Sequence, residues 1–101
     1  MNLTKTCKKA VIHWGADLQL NMAIEEVSEL IKAVCKLKRN LNADTVLNVA
    51  EEIADTEIML EQLKIMLSCR SDVESWKEYK LERLEQKIEE AVSNANNPES
   101  H

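Results

Sequence analysis

Two acidic pairs are the residues of this chain best placed to do chemistry. Glu26-x-x-Glu29 lies in 25-EEVSELIKAVCKLKR-39, and Glu52-x-x-Asp55 lies in 51-EEIADTEIMLEQL-63. Acids three residues apart on a helix are neighbours on one face. At about 100° per residue, Glu26 shares its side with Gln19, Met22, Glu29, Leu30, Ala33 and Leu37. Glu52 likewise falls with Thr45, Asn48, Asp55, Thr56, Met59, Leu63 and Met66. Either pair alone reads as a solvated helix face, since the chain holds 18 acidic residues. Both pairs in line with apolar stripes point elsewhere. Converging ionised carboxylates repel one another and lose hydration, and a divalent cation offsets both effects. With oxygen donors and no accompanying His or Cys, the expected ion is Mg2+, with Mn2+ as the alternative to it, and not zinc. Magnesium held by a few carboxylates accepts phosphate oxygens in its remaining positions, which suits phosphoryl chemistry.

The elements that must position these acids are helices. The 101 residues include one Gly and one Pro, too few turn formers for a sandwich or barrel. Composition therefore predicts an all-α fold. The first helix is expected from Thr4 to Trp14, ending at Gly15. The second runs from Asp17, its N-cap, to Arg39, where Lys36, Lys38 and Arg39 suit the helix dipole. The third starts at Ala43 or Asp44 and ends near Leu67. Ser71 or Asp72 caps a fourth that ends near Ser93. Residues 1–93 form the expected single domain, and 94–101 a polar, disordered tail. Ala54, Ile58 and Ile65 give the third helix a second apolar face, nearly opposite Glu52. A helix apolar on two sides is buried on two sides, so the bundle is expected to be completed by a second subunit, as a dimer or a dimer of dimers.

Charge and composition exclude several classes. A formal net charge of −5 argues against binding a nucleic-acid polymer. No apolar run is long enough to span a membrane, and MNLTKTCKK lacks a signal-peptide core. Cys7, Cys35 and Cys69 show no paired spacing and read as small core fillers in a reduced, cytoplasmic compartment.

The ordered pair of motifs, with its flanks EEVSELIKAV and NVAEEIADTEIMLEQL, resembles the all-α nucleoside triphosphate pyrophosphohydrolases, the MazG-like superfamily. The similarity covers roughly Trp14 to Arg83. It implies a MazG-like four-helix bundle that cleaves a nucleoside triphosphate to monophosphate and pyrophosphate, with Glu26, Glu29, Glu52 and Asp55 holding magnesium. Glu29 and Glu52 are the candidate catalytic acids, Glu29 as the group that orients or deprotonates the attacking water. The resemblance also implies an Asn-x-x-Lys-x-x-Arg phosphate motif. Here 77-KEYKLER-83 supplies Lys80 and Arg83, but Lys77 stands at the Asn position. Solvated pairing with nearby Glu residues is the competing reading. Lys36 is a further phosphate candidate.

For the base, Trp14 reads either as a stacking surface or as a core residue. Gln19 shares the acidic stripe and could bond a base edge, and Asn48 could contact sugar or phosphate or bond between helices. Trp76 and Tyr79 are expected to anchor the fourth helix. The role implied is removal of unwanted nucleotides or adjustment of a nucleotide pool. The alternatives are the phosphoribosyl-ATP pyrophosphohydrolase branch, whose aromatic and His after the Asp are missing from Thr56 to Leu60, and a non-enzymatic helical dimerisation or adaptor module.

Overall fold

A computed structural model of the chain describes residues 1–96. It contains α1 (Leu3–Trp14), α2 (Ala16–Arg39), α3 (Ala43–Leu67) and α4 (Arg70–Ala95), and no strand among the described residues. The ends of these helices follow from local chemistry. Asn2 caps α1, its side chain accepting from the Lys5 N–H at 2.8 Å. Gly15 ends it with φ of 86°, a conformation that residues with a Cβ rarely adopt. Gly15 is also the N-cap of α2, so Asp17, expected as the cap, lies inside the first turn instead. There its charge still suits the positive helix end. At α3, Asn42 accepts from the Thr45 N–H at 2.9 Å while the Thr45 hydroxyl accepts from the Asn42 N–H at 3.0 Å. This reciprocal cap fixes where α3 begins. Helix α4 starts at Arg70, before the expected Ser71 or Asp72, and continues past Ser93 to Ala95. Residues 97–101 of the expected tail lie outside the described residues.

The backbone divides into two compact units, Met1–Ser68 and Cys69–His101. In the first, α3 packs against both α2 and α1. The Thr4 hydroxyl donates to Glu61 Oε2 at 2.8 Å, and the Cys7 thiol lies 3.7 Å from the Ile58 carbonyl oxygen. Helix α1 thus lies on the Ile58 side of α3, the second apolar face seen in the sequence. The core is small: Cys7, Ala23, Ala33 and Met59 are its buried hydrophobic residues. Cys7 fills space as expected, whereas Cys35 is exposed and Cys69 half-buried. The small side chains of Ala23 and Ala33 are buried on α2, the helix that packs against α3. Ala33 is 2% exposed, so Ala33→Leu should overpack the contact and lower unfolding stability by about 1–3 kcal/mol in a urea titration.

In the second unit, no described residue of α4 is buried. Trp76 and Tyr79 are 61% and 52% exposed and stack edge-to-face, with centroids 6.1 Å apart. Spaced three apart, they satisfy each other on their own helix. No helix among the described residues is long and apolar enough to cross a membrane.

Candidate metal centre

The two acidic stripes meet in the structure, with Glu26 on α2 near Glu52 and Asp55 on α3. One carboxylate oxygen from each of these three residues lies within 4.8 Å of the others. All three side chains are half-buried. Glu29 stands apart from this group and is exposed. Its charge still reaches the cluster. Burial pushes the Glu26 carboxyl above its ordinary value, and Asp55, Glu25 and Glu29 repel its charge further. Burial likewise raises Glu52, followed by repulsion from Asp55, Glu26, Glu29 and Glu51.

The donor set fits a hard cation. Two buried polar atoms on this face of α3 have no hydrogen-bond partner: Glu52 Oε2 and Thr56 Oγ1. A buried carboxylate oxygen without a partner, on a side chain grouped with two other carboxylates, is costly unless something positive satisfies it. The three acids supply oxygen ligands alone, as magnesium or manganese prefers.

The remaining expected site residues fall into separate places. Gln19, on the acidic stripe, is buried and donates through Nε2 to Gln62 Oε1 at 2.7 Å. Trp14 is 55% exposed and packs edge-to-face on His13. Trp14, Leu18, Gln19 and Met22 line a cavity of about 270 Å³, and Met22 precedes Glu26 by one helical turn. Asn48 is half-buried one turn before Glu52, and Lys36 is exposed near the end of α2. On α4, Lys80 lies over the Trp76 ring at 5.7 Å and Arg83 over the Tyr79 ring at 5.9 Å. These cations rest on aromatic faces one turn earlier, an arrangement the sequence reading had not considered.

Three buried polar residues complete the region. Thr56 was placed on the Glu52 stripe, but Glu61 and Gln62 escaped the sequence reading. Both carried a signal. Glu61 continues the row Ala54, Ile58, Ile65, and Gln62 continues Asp55, Met59, Met66. A polar residue in an apolar row marks a buried hydrogen bond. Glu61 accepts from Thr4, and its charge helps burial to raise the Cys7 thiol pKa.

Compared with models of known protein families, with curated proteins and with solved structures, the chain matches none.

Proposed function

We propose that this chain is a magnesium-dependent hydrolase of phosphoanhydrides, and more particularly a nucleoside triphosphate pyrophosphohydrolase that releases pyrophosphate and a nucleoside monophosphate. The observation that carries the reading is the convergence of Glu26, Glu52 and Asp55 across α2 and α3, with a buried Glu52 oxygen left unpartnered. Those three acids would hold the ion, which when bound supplies a counter-charge for phosphate oxygens and a more acidic water. Glu29, exposed but near enough for its charge to act on Glu26 and Glu52, would accept a proton from a water at the rim. Lys36, two turns beyond Glu29 on α2, adds positive charge for the phosphate chain. The cavity beside Trp14 and Gln19 supplies an apolar wall and one amide, the usual make-up of a base pocket.

Self-association belongs to the same reading. Leu20, Ile24, Val27, Ile31 and Val34 run along α2 and are 36–67% exposed. Leu20, Ala23, Ile24, Val27 and Leu63 line an apolar groove of about 590 Å³. A second copy that covers it would bury the stripe.

The test is a panel of ribo- and deoxyribonucleoside triphosphates incubated with magnesium, with pyrophosphate and monophosphate as the products measured. Release of both from at least one substrate, lost on chelation, is the expected result. Orthophosphate as the first product would move the cleavage to another bond. Silence across common and modified nucleotides would instead favour a helical adaptor module.

A further inference from the structure

The amide of Gln19 has a fixed direction, and Gln62 sets it. The Met59 thioether sulfur accepts hydrogen bonds and cannot donate. Gln62 Nε2 points to it at 3.7 Å. The Gln62 carbonyl oxygen therefore turns to Gln19, whose Nε2 donates to it at 2.7 Å. Reversing both amides would set the Gln62 oxygen against sulfur, acceptor against acceptor. Gln19 is 5% exposed, and its nitrogen is engaged. The amide atom left for the cavity it lines with Trp14, Leu18 and Met22 is Oε1. The pocket therefore offers an acceptor set in an otherwise apolar and aromatic wall.

We propose that Gln62 is a positioning residue that holds Gln19 as a hydrogen-bond acceptor for a nucleobase carrying an exocyclic amino group, stacked on Trp14. The proposal rests on the nucleotide reading above and names the base class within it. An amino group donates to Gln19 Oε1. A keto group at the same point sets oxygen against oxygen and leaves a desolvated carbonyl without a donor. Trp14 is 55% exposed and so has ring surface free to stack.

Nucleosides test the pocket apart from the acids, because they carry no phosphate and need no magnesium. Binding of adenosine, inosine, cytidine and uridine to the full chain is measured by calorimetry. Adenosine is expected to bind about tenfold more tightly than inosine, and cytidine about tenfold more tightly than uridine. In Gln62→Leu, Gln19 is free to turn, and each preference should fall to within about twofold. Gln62→Glu keeps an oxygen facing Gln19 Nε2 and should retain the preference, which loss of packing alone does not explain. The wild-type ranking needs no variant and stands even where Gln62→Leu does not fold. Equal or reversed ranking, or no binding of any nucleoside, overturns the acceptor role. An unchanged ranking in folded Gln62→Leu overturns the positioning role. Pyrophosphate release is scored separately: cleavage without the nucleoside preference sinks this inference and leaves the hydrolase reading intact. The preference without cleavage does the opposite.

Discussion

Glu52→Gln should lower magnesium-dependent pyrophosphate release by on the order of a hundredfold or more and leave the helical fold in place. The two side chains have nearly the same shape, so packing between α2 and α3 changes little. Charge changes greatly. Glu52 carries the buried oxygen without a partner and lies within ligand distance of Glu26 and Asp55. An amide offers one weaker oxygen and a nitrogen that cannot ligate, so the centre loses a ligand and its negative charge. The same change relieves repulsion. The raised pKa of Glu52, from burial and then from Asp55, Glu26, Glu29 and Glu51, means the folded chain disfavours its ionised form. Metal-free Glu52→Gln should therefore melt no lower than the parent at neutral pH. Loss of activity with retained or higher melting temperature separates a ligand from a structural residue. Glu57→Gln is the control: Glu57 is exposed on another face of α3, and its rate should match the parent's. An active Glu52→Gln protein would remove the acids from the reaction.

The pairing of acid stripes was legible because helical rotation is regular and burial follows it. Gln19 and Ala33 on α2, and Thr56 and Met59 on α3, are buried on the sides the wheels predicted. The departures have equally local causes. Glu29 lies on the correct side but at its edge, and a wheel does not say how far a neighbour reaches. Glu61 was marked by its apolar row, but what it bonds stayed hidden because its partner, Thr4, lies on α1. Gln62 was hidden for the same reason: its partner, Gln19, lies on another helix. Sequence spacing records neighbours within a helix, and contacts between helices depend on rotations that spacing does not contain. Within α4, spacings of three and four do bring Trp76 to Tyr79 and each ring to the cation one turn on.

Magnesium should stabilise the chain steeply at neutral pH and hardly at all in acid. Without metal, the folded state holds Glu26 and Glu52 with pKa values above the ordinary 4.5. Between that value and the raised ones, the folded chain binds more protons than the unfolded chain. Stability therefore falls as pH rises through this window and is flat beyond it, so far as these two groups decide it. Glu26→Gln together with Glu52→Gln should flatten that part of the metal-free melting profile. A cation competes with those protons, so its effect appears once they have left. At neutral pH, magnesium at a hundredfold excess over its Kd adds about 2.7 kcal/mol, or about 10–20 °C in melting temperature for a domain of this size. Below pH 4.5, where the ordinary carboxyl is protonated, the same magnesium should move the melt by little. Single variants sharpen the assignment. Glu26→Gln should erase most of the neutral-pH shift, since Glu26 is the α2 member of the converging group. Glu29→Gln should erase less, since Glu29 is exposed and acts through its charge. A melting temperature indifferent to magnesium at both pH values, or an equal loss from Glu29→Gln and Glu26→Gln, would contradict a centre built across α2 and α3 from Glu26, Glu52 and Asp55.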